Sequence, residues 1–370
     1  MMSTAPAAHT AADALHMQRA LALAERGLNT CDPNPRVGCV LVNDGAVVGE
    51  GFHARAGEAH AEVFALRAAG ARARGATAYV TLEPCSHVGR TPPCADALID
   101  AGVARVVAAG VDPNPRVAGA GLDRLRQAGV EVSTGVLAGA ARRLNPGFFA
   151  RFERGRPYLR LKLAMSLDAR TAATAGAPTA ISGPASRADV QQWRARSSAI
   201  LTGAGTVVAD DPRLDVRLDY GPWVRQPLRV VLDPSLRCAP GARVFARGDA
   251  LVFAASGTPV PAPPSGEAPR RIEHVARGAA GLDLPAVMRR LAELEINEIL
   301  AECGPRLAGA LIAAGLVDEL ILYVAPRLFG AGAPPLADLS TVSGFGSRLE
   351  YRDVRRCGED LRLILTPVET

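Results

Sequence analysis

The pattern of hydrophobic and polar positions divides the chain into two successive runs of helices and strands. In the first run, apolar residues at helical spacing (Leu15, Ala20, Leu21, Leu23, Ala24) predict a helix over 13–28, with Asp13 as its cap. Pro33-Asn34-Pro35 forces a rigid loop before a strand over Val37–Val42. Asn43-Asp44-Gly45 is a hairpin signal, and Ala46–Glu50 returns antiparallel. A helix is expected from His60 to Ala73, a strand over Ala78–Leu82, a helix from Cys94 to Ala101 and a strand over Val103–Gly110. Gly121–Ala128, Val130–Ser133 and Leu137–Phe149 complete this alternation.

The pattern starts afresh near Arg151–Arg156, which divides the chain into domains 1–150 and 151–370. Strands are expected over Tyr158–Ala164, Ala199–Thr202, Leu228–Leu232, Ala250–Ala254, Glu298–Glu302 and Glu319–Ala325. Helices are expected over Ser186–Arg196, Leu284–Leu294 and from the Gly304-Pro305 turn to Ala314. Thr258–Pro269 is a Pro-rich loop, and Leu349–Val354 with Leu361–Leu365 form a closing hairpin. Both domains are α/β, the first with three layers. The two halves do not repeat one another.

Composition adds exclusions. At 370 residues and a formal charge of +5, with arginines scattered and only 4% aromatic residues, nothing calls for nucleic acid. No stretch approaches a membrane span, and residues 1–12 read as an Ala-rich tail. Seven cysteines at irregular intervals form no disulfide framework, so a reduced, cytoplasmic location is expected. The partner expected is a small molecule, neither nucleic acid nor membrane, and the chain is expected to form a homo-oligomer.

The densest chemistry lies in His60-Ala61-Glu62 and, further on, Pro84-Cys85 and Cys94. One imidazole and two thiolates make three ligands of a tetrahedral zinc with an open fourth position. Glu62, two residues from His60, can reach a water there without being a ligand. This is the arrangement of zinc deaminases of nucleobases, in which the metal activates water and the Glu shuttles its proton. The cysteines stand further apart than is usual in that class, separated by Ser86 and an insert over 87–93.

Lys162 is the only lysine among 42 basic residues. The chain has drifted to Arg wherever a generic cation serves, and a compact ammonium is not equivalent to a guanidinium fork at a tight site. Lys162 is therefore a candidate functional residue. Glu302-Cys303-Gly304-Pro305 joins a strand to a helix start whose free N–H groups suit a diphosphate, although an ordinary strand–turn–helix connection reads the same way. No G-x-G-x-x-G occurs, so a Rossmann site finds no support. The polar run Thr206–Arg217, with Arg194 before it, suits sugar hydroxyls and a phosphate, or is simply a capped surface loop.

Taken together, Asp32-Pro33-Asn34-Pro35, Gly49-Glu50-Gly51-Phe52-His53, His60-Ala61-Glu62 and the run Thr81 to Cys94 resemble the bifunctional deaminase–reductases of riboflavin biosynthesis. In the second half, Lys162 to Asp168, Asp210-Asp211-Pro212 and Glu302-Cys303-Gly304-Pro305 continue the likeness over nearly the whole chain. The resemblance implies a cytidine-deaminase-like domain followed by a dihydrofolate-reductase-like one. It implies zinc-dependent deamination of 2,5-diamino-6-ribosylamino-4(3H)-pyrimidinone 5′-phosphate, then reduction of the ribosyl group to ribityl with NADPH. By that likeness His60, Cys85 and Cys94 hold zinc and Glu62 shuttles the proton. Ala164, Thr206, Asp210 and the stretch Gly304, Pro305, Arg306, Leu307, Ala308, Gly309, Ala310 would line the NADPH site. Lys162, Arg194, Leu214, Arg217 and Glu302 would meet the reductase substrate. Two departures stand out. Ala169 replaces the family's Gly after Ser-Leu-Asp, and Gly176-Ala177-Pro178-Thr179-Ala180-Ile181 lacks an acid, a hydroxyl and an aromatic found there in the family. A second reading keeps the deaminase and makes the C-terminal half a degenerate domain serving dimerisation.

Overall fold

The computed structural model describes residues 9–86, 92–174, 179–218, 225–262, 270–278, 281–340 and 348–368. Most of the insert between the two candidate cysteines, part of the 176–181 loop and the end of the Pro-rich loop lie outside them. The chain forms two compact units, Met1–Arg154 and Gly155–Thr370.

The first unit runs α1 (Ala11–Glu25), β1 (Gly38–Asn43), β2 (Ala46–Phe52), α2 (Ala61–Ala69), β3 (Thr77–Val80), α3 (Cys94–Asp100), β4 (Arg105–Ala108), α4 (Ala120–Gln127), β5 (Glu131–Thr134), α5 (Ala138–Leu144) and α6 (Pro146–Arg154). The sheet order is β2-β1-β3-β4-β5, with β1 antiparallel to β2 and β3 and the remaining pairs parallel. Successive strand residues point to opposite faces. Cys39, Leu41, Ala78, Val80 and Val106 therefore pack under α2, α3 and α4, while Val40, Val42, Tyr79 and Val107 pack against α1 and α5. This is the three-layer domain the periodicity predicts.

Two local expectations give way. The helix expected from His60 starts one residue later, with His60 as its N-cap, and its last turn tightens into a 3-10 helix over Gly70–Ala73. The single helix expected over 137–149 is two, because Pro146 has no N–H to continue the first and fits the start of the second. Between them the Asn145 side chain accepts from Arg36 N at 2.7 Å and donates to Arg36 O at 2.9 Å. That pair ties the break to the loop before β1.

The second unit runs β6 (Tyr158–Ser166), α7 (Pro184–Arg196), β7 (Ala199–Gly203), α8 (Ala204–Asp210), β8 (Leu228–Leu232), β9 (Ala250–Ala255), β10 (Arg271–Val275), α9 (Leu284–Glu293), β11 (Glu298–Glu302), α10 (Pro305–Ala313), β12 (Glu319–Ala325), β13 (Leu349–Cys357) and β14 (Asp360–Pro367). The order β10-β9-β8-β7-β11-β6-β12-β14-β13 is parallel as far as β12 and antiparallel through the closing hairpin. Leu159, Leu161 and Leu163 of β6 join the main core with α9 and α10. The other face of β6 carries charge. There Arg160, buried, pairs with Glu298 of β11 and with Glu319 of β12 at 3.0 Å. Buried ion pairs of this kind leave no strong acceptor unpaired but are costly to break on one side.

Here too the sequence pattern misleads in places. The run Thr206–Arg217, read as a polar loop, begins inside α8. The strand β10 was not expected, because Arg271, Glu273 and His274 interrupt the apolar alternation; it is an edge strand, only partly buried.

Candidate active sites

In the first unit, His60, Cys85 and Cys94 place their ligand atoms within 4.8 Å of one another. His60 Nδ1 lies 3.2 Å from Cys94 Sγ and 3.5 Å from Cys85 Sγ, and the Cys94 N–H donates to Cys85 Sγ at 3.3 Å. The Cys85 thiol is held well below its ordinary value, chiefly by a hydrogen bond from the Cys94 thiol, against burial and with His60 adding to the effect. A thiolate is the form that binds zinc.

Backbone packing sets these positions. A Cβ on Gly51 would stand 2.4 Å from the Ala61 carbonyl oxygen, so α2 lies directly on β2 and His60 is held at its start. Glu83, buried, accepts from the N–H groups of Asp112 (3.0 Å), Gly119 (2.9 Å) and Gly121 (2.9 Å), which ties the β4–α4 loop to the strand end that delivers Cys85. Glu62 is 3% exposed, and its Oε2 is buried without a hydrogen-bond partner. Burial raises its pKa, His60 opposing. A buried carboxylate oxygen without a partner, beside two thiols and an imidazole, fits a zinc site with a water at its open position.

Behind His60 stands His53, 5.2 Å between ring centroids. Its Nδ1 meets Ala59 O at 3.1 Å, so this nitrogen donates, and its Nε2 accepts from Asn34 Nδ2 at 3.0 Å. Burial lowers its pKa, which keeps it neutral in that arrangement. Sequence reasoning passed over a signal here: Asp32-Pro33-Asn34-Pro35-Arg36-Val37 recurs unchanged as Asp112-Pro113-Asn114-Pro115-Arg116-Val117. The first copy enters β1 and the second leaves β4, so the two flank the end of β3 that leads to Cys85.

The second unit holds a cavity of about 1170 Å³ at the carboxyl ends of β7, β8 and β11, the usual place for a ligand in an open α/β sheet. Lys162, Ala164, Arg194, Thr206, Asp210, Leu214, Arg217, Glu302, Gly304, Pro305, Arg306 and Leu307 all line it. Ala308, Gly309 and Ala310 do not. Ala308 is in the core, Ala310 packs against it, and a Cβ on Gly309 would stand 1.9 Å from Asp338 O.

Electrostatics organise the cavity. Glu302 is paired with Arg194, and Lys162 lies close enough to both to respond to their charge. Burial pushes the Glu302 pKa up, but Arg194 and Lys162 outweigh it and hold the carboxyl below its ordinary range. Burial lowers the Lys162 pKa, with Glu302 opposing and Arg194 assisting. The Gly304 N–H donates to Thr206 Oγ1 at 3.2 Å, which joins the starts of α8 and α10. The start of α10, with Gly304 lacking a side chain and Arg306 beside it, fits a diphosphate. Arg237, beyond β8, also reaches the cavity, 3.6 Å from where a Gly205 Cβ would lie. No sequence pattern marks it.

Comparison with known proteins matches residues 10–110 to the cytidine and deoxycytidylate deaminase zinc-binding region and residues 157–363 to the RibD C-terminal domain. The riboflavin biosynthesis protein RibD of Escherichia coli K12 is 49% identical over 367 residues, covering 95% of this chain and 99% of its own. RibD of Acinetobacter baumannii superposes with a TM-score of 0.87 at 42% identity, covering 97% of this chain and 99% of that one. The chain belongs to the RibD family. A Thermotoga maritima structure, titled a diaminohydroxyphosphoribosylaminopyrimidine deaminase/5-amino-6-(5-phosphoribosylamino)uracil reductase, is similar at 32% identity and a TM-score of 0.84, covering 96% and 99%. As a RibD family member the protein is a bifunctional enzyme of riboflavin biosynthesis, with a zinc-binding deaminase half and a reductase half. The alternative of a degenerate C-terminal half falls, because that half matches the RibD C-terminal domain across residues 157–363.

Proposed function

We propose that His60, Cys85 and Cys94 hold the zinc, that Glu62 is the proton shuttle, and that the substrate is 2,5-diamino-6-ribosylamino-4(3H)-pyrimidinone 5′-phosphate. Bound zinc supplies the Lewis acidity that makes water nucleophilic near neutral pH. Glu62 takes a proton from that water and returns it to the departing amino group; a C–N bond breaks, a C–O bond forms and ammonia leaves. Its raised pKa suits it to hold the proton between those events.

The reductase reading places NADPH along Ala164, Thr206, Asp210 and the Gly304–Leu307 turn, with Ala308 to Ala310 supporting the turn from behind. NADPH supplies the hydride. Lys162, Arg194, Leu214, Arg217 and Glu302 position the ribosylamino substrate, and the Lys162 ammonium meets the ribose hydroxyls or the alkoxide that develops at the carbon receiving hydride. Arg237, which makes no ion pair among the described residues, offers a guanidinium fork for the 2′-phosphate that distinguishes NADPH from NADH.

One observation carries the reading: a three-ligand cluster with an unpartnered buried carboxylate oxygen, in a chain whose second unit opens one large cavity around its only lysine. The exposed Leu349, Tyr351 and Val354 on the edge strand β13 support a homo-oligomer. The seven free cysteines support a reducing, cytoplasmic location, and no helix among the described residues is long and apolar enough to cross a membrane. The test is incubation with the diaminopyrimidine substrate and NADPH, scoring ammonia release and NADPH oxidation separately. Both are expected; absence of either removes the corresponding half of the reading.

A further inference from the structure

Lys162 does not stand in the cavity wall unsupported. It lies on the charged face of β6 opposite Ile321 of β12, and its diagonal neighbour on that face is Tyr323. The Lys162 ammonium sits over the Tyr323 ring, 5.8 Å from the centroid. Tyr323 is fully buried, and its hydroxyl turns away from the cavity to donate to Asp189 Oδ2 at 2.6 Å. Asp189 is itself engaged: Arg362 of β14 donates to both its oxygens at 2.9 Å, and Trp193 Nε1 donates to Oδ2 at 3.3 Å. The ring is thus fixed at its edge by an anchored acid and offers its face to the ammonium.

We propose that Tyr323 is a positioning residue of the reductase: its ring is the platform that holds the Lys162 ammonium in place and charged, and the Asp189–Arg362 pair keeps that ring from turning. This rests on the reading of Lys162 given above. Burial pushes the Tyr323 phenol far above its ordinary range and Asp189 adds to this, so the phenol is no proton donor to substrate. What it offers is the negative face of its π system, which favours a nearby cation. The groups facing Lys162 are Glu302 and Cys303 at the end of β11, Arg194 of α7 and Tyr323 of β12. Of these Glu302 is already shared with Arg194, so its attraction for the ammonium is divided. Cys303 adds to that attraction only weakly, its thiol being pushed up to about 12 by burial, whereas the ring favours the charge and, among the described residues, faces no other cation.

The experiment follows the pH dependence of hydride transfer in the full-length enzyme, using the deaminated substrate and saturating NADPH. Tyr323→Leu is expected to move the high-pH limb of the profile downward by roughly half to one and a half units, the range a cation–π contact supports. Tyr323→Phe, which keeps the ring, should move it far less. Incorporating pentafluorophenylalanine at 323 keeps the size and removes the negative face, so it should behave like Tyr323→Leu even if the leucine variant folds poorly. Ammonia release by the other unit is the control for an intact chain. If pentafluorophenylalanine leaves the limb at the parental pH, or if Phe moves it as far as Leu does, the platform is wrong. Lys162→Ala separates the two layers: a surviving limb removes the Lys162 reading itself, whereas its loss with a parental limb in the ring variants removes only Tyr323.

Discussion

Arg194 grips Glu302 through two hydrogen bonds, Nε to Oε1 at 2.6 Å and NH2 to Oε2 at 3.0 Å, while its NH1 donates to Asp215 O at 3.0 Å. One guanidinium thus links α7, the end of β11 and the segment beyond α8, all facing the cavity. A lysine cannot make this fork. Arg194→Lys is expected to cost about 2–3 kcal/mol of stability, because Glu302 is left partly unpaired while buried. The KM for the reductase substrate should rise about tenfold or more. Because the folded Glu302 pKa is depressed, the pair's contribution is complete above the ordinary carboxylate pKa and fades as pH falls through the lower, folded value. Urea unfolding at neutral and acid pH checks this: the variant and its parent should converge as the pH falls.

The zinc site yields a paired expectation. The protein should carry one zinc per chain, and Cys85→Ser or Cys94→Ser should lose metal and ammonia release together, because two remaining ligands hold zinc poorly. Glu62→Gln should keep the metal but cut deamination by about 10²–10⁴. Hydride transfer to the deaminated substrate should persist in all three. Elemental analysis beside the two separate activity assays decides the matter, and full deamination after exhaustive zinc removal would end the metal assignment.

Lys162→Arg retains the charge and should still be a poor reductase. The wider guanidinium cannot occupy the point where the ammonium stands between Tyr323 and Glu302. If the ammonium acts on the transition state, kcat falls more than KM rises. The parent should lose hydride transfer as pH rises through a Lys162 pKa that lies below the ordinary 10.5, the direction set by burial. Parental kcat in Lys162→Arg would return the residue to a strand position kept by chance.

Ala169 has φ +57, a left-handed conformation that L residues adopt at a cost and glycine adopts freely. The turn is held nonetheless: the Asp168 carboxylate accepts from the N–H groups of Phe329 (3.1 Å) and Gly330 (2.7 Å). Ala169→Gly is expected to stabilise the protein by about 0.5–1 kcal/mol, the relief of strain exceeding the added freedom of the unfolded chain. Thermal unfolding should show a higher midpoint with unchanged reductase KM.

The two α/β units, most of the elements and the candidate metal cluster were legible from the chain alone. Those signals are local: alternation sets strands, helical spacing sets helices, and His60, Glu62, Cys85 and Cys94 carry their spacing in the chain. The single lysine is likewise a property of the chain alone. Relationships between strands far apart in sequence were legible only in the fold. Lys162 meets Tyr323 because β6 pairs with β12 in one register, and a shift of one residue would turn every side chain to the other face. Arg237 reaches the cavity only because β8 lies beside β7, next to the start of α8. The extent of α8 and the strand β10 were hidden for a related reason. α8 is a single short stretch with little helical periodicity of its own, and β10 is a polar edge strand whose parallel pairing with β9, not local preference, gives it regular structure.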